Sequence, residues 1–126
     1  MKVSECSKRS NTPIDTIRYY EKIDLLNVVK EEHSQKDYSE KDVERLCEIA
    51  ILKKTNLSLE EIKEYLKARD TIESMMSGQL DFVRIKESLA ILKTLNDKLG
   101  EEKNDLLAAQ NTIEVAMNSL KENLLR

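Results

Sequence analysis

The sequence predicts a mainly all-α chain: a small helical domain with a helix-turn-helix and a small β-wing, followed by a long coiled-coil helix. Three observations predict it. Only 2 Gly and 1 Pro occur among 126 residues, 36% of them charged and 40% hydrophobic, the composition of well-solvated helices. In the segments that follow Ser39 and Ser58, apolar residues recur three or four apart, the period of a helix with one buried face. From Leu80 onward the interval becomes seven, and Ile85, Leu92, Leu99, Leu106, Ile113 and Leu120 hold it without a miss.

Val3 to Ser10 reads as a short first helix, closed by Asn11, a residue that tolerates positive φ. Thr12 to Lys22 reads as a second, with Pro13 in the first turn, where its missing N–H is no loss, and Thr12 capping the free backbone donors. Two helices joined by so short a turn fit a helix-turn-helix, whose second helix enters the major groove of DNA. Asn27 to Tyr38 breaks the helical pattern; Val28 and Val29 suggest one short strand and a second runs into Tyr38, hence the small β-wing. Ser39 caps a third helix with acidic residues in its first turn and apolar positions at Val43, Leu46, Cys47, Ala50 and Ile51. Ser58-Leu59-Glu60-Glu61 repeats the cap for a fourth helix with a core face of Leu59, Ile62, Tyr65 and Leu66. The predicted organisation is a domain at 1–70, a joint at 71–79 centred on Met76-Ser77-Gly78-Gln79, and the coiled-coil helix at 80–126.

The companion positions of the seven-residue repeat are Leu89, Asn96, Lys103, Gln110, Met117 and Leu124, so the seam is apolar at both ends and polar in the middle. One helix cannot bury such a stripe by itself, which requires a second chain or a fold-back. Ile85, Leu89, Leu92, Leu99, Leu106, Ile113, Met117 and Leu120 are the expected dimerisation residues. Gly100 is where a helical hairpin would turn; the favoured reading is a continuous or slightly bent helix that dimerises, since Gly inside a helix costs only about 1 kcal/mol relative to Ala.

A net charge of −3 does not advertise nucleic-acid binding, but its distribution does. Residues 1–30 hold six Lys/Arg against four Asp/Glu, and residues 31–48 hold three against seven, which confines a phosphate footprint to the first thirty. Within them, Thr16-Ile17-Arg18-Tyr19-Tyr20-Glu21 joins an arginine able to reach a phosphate or a guanine edge to two of the four tyrosines of the chain. Taken alone, Tyr19 and Tyr20 are equally explained as core aromatics. No run is long and apolar enough to span a membrane and the N-terminus lacks a signal-peptide pattern, so a cytoplasmic location is expected.

Val3-Ser4-Glu5, the segment from Thr16 through Ile23, and Leu25-Leu26 resemble the N-terminal signature of MerR-family transcriptional regulators. Tyr38-Ser39-Glu40-Lys41-Asp42-Val43 and Leu57-Ser58-Leu59-Glu60-Glu61-Ile62 continue the likeness in register over roughly the first seventy residues. The resemblance implies a winged helix-turn-helix domain and an antiparallel coiled-coil homodimer. It further implies a promoter whose −35 and −10 elements are badly spaced, and activation by bending and untwisting that spacer so that RNA polymerase reads both. On this likeness Thr12, Thr16, Arg18, Tyr19, Tyr20, Lys22, Lys30 and Lys36 are the expected DNA-binding residues. Asn11, Asp24 and Asn56 stand where the family usually has Gly; Asn and Asp best tolerate the left-handed conformation. Ser34-Gln35-Lys36 replaces the usual Gly-Tyr-Arg and Val29 a basic residue, leaving Lys30 and Lys36 as the cations of a weakened wing among Glu31, Glu32 and Asp37.

Cys6 and Cys47 fall on expected core faces, which favours structural thiols over redox sensing, and no cysteine follows in the coil to build a thiolate metal sensor. His33 is the sole histidine and reads as a solvated loop residue. Glu60 and Glu61 are explained by the helix dipole, and no nucleophile–base pair, phosphate-cradling loop or zinc spacing appears, so neither enzyme nor cofactor is expected. Met75, Met76, Leu80, Phe82 and Tyr65 cluster near the joint; packing between the fourth helix and the coil explains them more cheaply than a small apolar effector. The chain ends soon after its coil, so no separate ligand-binding domain is expected. The expected function is a dimeric DNA-binding regulator, with a protein-interaction module of weakened DNA affinity as the alternative.

Overall fold

The structure, a computed structural model, describes residues 1–30 and 36–126, without the side chains of Val29, Lys30 and Lys36. The described residues form five helices: α1 (Val3–Ser10), α2 (Ile14–Lys22), α3 (Glu40–Leu52), α4 (Leu59–Met76) and α5 (Phe82–Leu124). The turn between α1 and α2 follows from Asn11, which adopts a left-handed φ of 51°. The Ser7 hydroxyl seals that turn by donating to the Thr12 carbonyl at 2.6 Å. Thr12 does not cap α2 as expected. It is buried and its hydroxyl donates to the Ser10 carbonyl at 3.1 Å, so the helix begins at Ile14 behind Pro13 with no side-chain cap. Asp24 (φ 63°) ends α2 in the same left-handed manner, whereas Asn56 does not take that conformation.

The β-wing expected between Asn27 and Tyr38 is corrected. The described residues there pair only as β1 (Val29–Lys30) against β2 (Lys36–Asp37), two residues each, and the fold is all-α rather than winged. The physical reason is composition: after Val29 the stretch is almost wholly polar and charged, with no alternating apolar face to bury, and an isolated hairpin is marginal without one. Glu31, Glu32, His33, Ser34 and Gln35 lie outside the described residues.

Both predicted capping boxes form. The Ser39 hydroxyl accepts from the Asp42 N–H while the Asp42 carboxylate accepts from the Ser39 N–H, and Ser58 and Glu61 repeat the exchange. The core gathers Cys6 from α1, Ile17 and Tyr20 from α2, Leu25 and Leu26 from the following loop, Val43, Leu46 and Ile49 from α3, and Ile62 and Leu66 from α4. Ile51, expected in the core, is 63% exposed, and Ile49 takes its place. Arg45 ties three elements together: its Nε donates to the Leu25 carbonyl at 2.7 Å and its guanidinium meets Asp70 of α4 at 2.8 Å. Glu48 accepts from the Tyr65 hydroxyl at 2.8 Å and pairs with Arg69; burial, then that bond, push the Tyr65 phenol up to about 12.

The expected joint is shorter than 71–79, because α4 runs on to Met76 and Gly78 (φ 86°) makes the turn. Asp81 then caps α5, whose 43 residues pass through Gly100 without a break, so the hairpin alternative does not hold. The first half of α5 belongs to the globular body. It lays a second seven-residue stripe on α4: the Ser88 and Thr71 hydroxyls bond at 2.7 Å in a buried contact, Ile91 and Leu95 join the core, and Lys98 meets Glu61 at 2.5 Å. Glu102 ends the stripe by accepting from the Asn56 N–H at 3.3 Å. Among the described residues, no helix is long and apolar enough to cross a membrane.

Arg45→Ala strands a loop carbonyl and a carboxylate, and a loss of about 1.5–3 kcal/mol is expected in urea unfolding. Lys98, then the Ser58 N–H, hold the Glu61 carboxyl below its usual range. A depressed carboxyl contributes stability above the ordinary carboxylate range and loses it as pH falls through its folded value. Lys98→Met should therefore melt lower than the parent chain at neutral pH, with the difference closing on acidification; thermal melts at a series of pH values measure it.

Candidate nucleic-acid interface

The period of α2 divides its residues between core and solvent. Ile17 and Tyr20 point inward and are buried, while Asp15, Arg18, Tyr19 and Lys22, spaced three, four and seven apart, form one exposed stripe. Tyr19 is 50% exposed and its ring lies 6.2 Å from that of Tyr20, tilted by 48°. The buried tyrosine thus supports the exposed one. Lys53, just past the end of α3, lies 5.7 Å above the Tyr20 ring and closes the other side. At the end of α2 the buried Tyr38 hydroxyl donates to Glu21, fixing the helix from its last turn; burial first, and this bond second, hold the phenol well above its ordinary value.

The expected contact residues therefore separate. Arg18, Tyr19 and Lys22 share the outward stripe, and Thr16 stands half-buried at its edge. Thr12 and Tyr20 are inside, where the Thr12 hydroxyl bonds within the turn and the Tyr20 ring packs near that of Tyr19. Lys30 and Lys36 face each other as backbone partners across the two short strands, with their side chains outside the description. Asp15 was not among the expected residues; its i−3 spacing from Arg18 was the signal for it.

Arg18 differs from the other arginines of the globular body. Arg9 pairs with Glu40, Arg45 with Asp70, Arg69 with Glu48, and Arg84 donates to the Ser74 hydroxyl. Among the described residues, Arg18 makes no such bond, so its guanidinium is free to form a bidentate pair with a phosphate or a guanine edge. The described residues hold no cluster of His, Cys, Asp and Glu suited to a metal. Cys6 is fully buried and burial pushes its thiol up, which disfavours the reactive thiolate.

A helix-turn-helix whose second helix offers an arginine, a tyrosine and a lysine on one exposed face defines a DNA-binding class of protein. Residues 1–69 match the sequence profile of the family described as "MerR HTH family regulatory protein". The chain is 31% identical over 109 residues to the HTH-type transcriptional regulator YyaN of Bacillus subtilis (strain 168), covering 82% of this chain and 78% of that one. Among solved structures it is similar to HiNmlR, a MerR family regulator lacking the sensor domain, bound to promoter DNA, with 28% identity, a TM-score of 0.52 and coverage of 77% and 78%. A MerR family regulator from Listeria monocytogenes shares the fold over 98% of this chain and 93% of its own, with a TM-score of 0.55 at 22% identity. The chain belongs to the MerR HTH family. It is a DNA-binding transcriptional regulator that acts through its helix-turn-helix domain, and not an enzyme.

The two thiols should separate in reactivity. Half-buried Cys47 reacts with an aromatic disulfide reagent in the native protein, whereas Cys6 waits for unfolding; stopped-flow absorbance of Cys6→Ala and Cys47→Ala checks it.

Proposed function

We propose that the protein works in the cytoplasm as a homodimer on a promoter, and regulates transcription by bending and untwisting the DNA between two half-sites so that RNA polymerase engages both promoter elements. The observation that carries the DNA contact is Arg18 on the exposed stripe of α2, which pairs with none of the described residues. The stripe is narrow and only Lys22 joins Arg18 on it as a second cation, which favours a mode in which few phosphates are neutralised and much of the selectivity comes from the cost of deforming the DNA.

The pairing is supported by the unclaimed stripe of α5. Leu106, Ile113, Met117, Leu120 and Leu124 are all exposed, an apolar row that water disfavours. The two rows of the stripe differ: every position in the series from Ile85 to Leu120 is Ile or Leu, while the series from Leu89 to Leu124 includes Asn96, Lys103 and Gln110. Parallel helices would stack each polar residue on its own copy, Lys103 on Lys103 among them. Antiparallel helices pair one series with the other, so every layer keeps at least one apolar member. That asymmetry favours the antiparallel dimer.

The test is titration against DNA from the upstream region of the protein's own gene at two salt concentrations. Arg18→Ala should remove sequence-selective binding, a loss of about 1–3 kcal/mol per half-site, with the melting temperature unchanged because the side chain is exposed. Lys22→Ala should weaken binding evenly over all sequences and lower the salt slope by about 1 for each phosphate left without its cation. A dimer that selects no sequence at low salt would instead indicate a protein-interaction module.

A further inference from the structure

Two exposed features are left over once the packing within the chain is accounted for. At the α4–α5 turn, Met75, Met76, Leu80 and Phe82 are exposed, although the sequence predicts their packing between the two helices. They adjoin the unclaimed stripe of α5. The other feature is one carboxylate on the recognition helix. Asp15 stands exposed in the first turn of α2, on the same stripe as Arg18 and Lys22. A face turned toward a polyanion gains from cations and loses by an acid, because the phosphates repel it whatever the base sequence.

The rest of the fold gives Asp15 little to do. Acids in the first turns of α3 and α4 are all engaged: Glu40 meets Arg9, Asp42 and Glu61 complete capping boxes, and Glu60 lies 3.6 Å from Lys63. Asp81 caps α5. Asp15 makes no hydrogen bond or ion pair among the described residues, and α2 has no side-chain cap. What remains to it within the fold is the favourable placing of a negative charge near a helix N-terminus.

We propose that Asp15 is a specificity-determining residue, whose carboxylate accepts the N4–H of a cytosine in the base pair next to the guanine that Arg18 reads. The inference rests on the exposed stripe of α2 as the DNA contact and adds the base that it selects. In a helix-turn-helix the N-terminal residues of the recognition helix reach the base edges, which favours Asp15 over Lys22, in the last turn, as a base contact. Residues three apart on a helix are separated by about 4.5 Å of rise. Base pairs are separated by about 3.4 Å, so Asp15 and Arg18 address neighbouring pairs. In the major groove guanine and thymine present acceptors, which repel a carboxylate, and adenine sets its N7 acceptor beside its amino group. Cytosine alone presents an amino donor with no acceptor of its own beside it. The carboxylate therefore costs affinity over most sequences and offsets that cost over one, so it raises selectivity rather than strength.

The experiment selects from a duplex library with a randomised centre, using the full chain, and compares the motifs enriched by the parent, Asp15→Ala and Asp15→Asn. Thermal melts accompany each variant. The parent should enrich one cytosine beside a guanine in each half-site. Asp15→Ala should keep the guanine and lose the preference for cytosine, a drop on the order of fivefold to tenfold in relative affinity over the other bases. Its binding to duplexes without the motif should strengthen, since a charge repelled by the phosphates is gone. Asp15→Asn keeps the shape and adds an amide donor, so adenine should be admitted at that position. Cytosine enriched as strongly by Asp15→Ala as by the parent overturns the proposal while DNA reading by α2 stands; a lower melting temperature with that unchanged motif assigns the carboxylate to the helix dipole alone. A loss spread evenly over the whole motif means that Asp15 acts on the helix rather than on one base, and overturns it as well. A parent that enriches no motif overturns both this proposal and the α2 stripe as a base-reading surface.

Discussion

Everything beyond the first four helices depends on α5 carrying two seven-residue stripes side by side. A helix packs on one neighbour through one face, and a repeat of seven keeps that face aligned for many turns. On α5 the stripe of Ser88, Leu95 and Glu102 is used by its own chain, and the stripe of Ile85, Leu92 and Leu99 lies beside it, half-covered. Past Glu102 the body of the protein stops and only the second stripe continues. A helix of 43 residues that ended its packing halfway would expose more apolar surface than a solitary helix tolerates. The length of α5 thus makes sense only with a partner for its second half.

The recognition helix is governed by a different constraint. A helix of nine residues is too short to hold itself in water. Its order comes from one buried side, Ile17 and Tyr20, and from two fixed ends, the Asn11 turn in front and the Tyr38–Glu21 bond behind. Those restraints leave the opposite side free to be polar, and Arg18 and Lys22 occupy it. Stability and recognition are divided between the two faces of one short element, so the exposed face is able to change without loss of the fold.

The parts of this arrangement that were legible in the sequence are those set by local chemistry or strict period. Ser39 and Ser58 announce their helices because a hydroxyl followed three residues later by a carboxylate satisfies two backbone donors at once. The repeat from Ile85 to Leu120 announces a long helix because no position breaks it. What was not legible depends on which neighbour a face meets. The stripe of Ser88 and Leu95 mixes hydroxyls and charges with leucine, so its packing on α4 is invisible until Thr71, Glu61 and Asn56 are brought opposite. Ile51 and Ile49 share a helix, and only the orientation of α3 decides which is inside. Val28 and Val29 suggested a wing through strand propensity, which carries little weight where no buried face rewards it. Tyr20 is expected beside Tyr19 at the interface because adjacency in sequence hides that neighbouring helical residues face different ways, whereas Thr12 is expected there on the family resemblance alone.

The joint between α4 and α5 then decides how the two recognition helices of the proposed dimer stand relative to each other. In a pair related by a two-fold axis, any change in the angle between α4 and α5 is applied to both copies in opposite senses, so a small rotation within one chain doubles between the two DNA-binding domains. This chain fixes the angle with directional contacts as well as with grease: the buried Thr71–Ser88 hydroxyl pair, the Glu61–Lys98 ion pair and the bond from the Asn56 N–H to Glu102. Apolar contacts alone permit sliding, whereas a buried hydroxyl pair is costly to separate because neither group finds water in its place. A regulator that acts by holding DNA in a deformed state needs such stiffness, since the DNA resists with several kcal/mol of elastic energy, on the order of 1–6 for a site of this kind. Under the proposed DNA-bending mode, the polar residues that hide this stripe from sequence reading are the ones that let the joint resist that load.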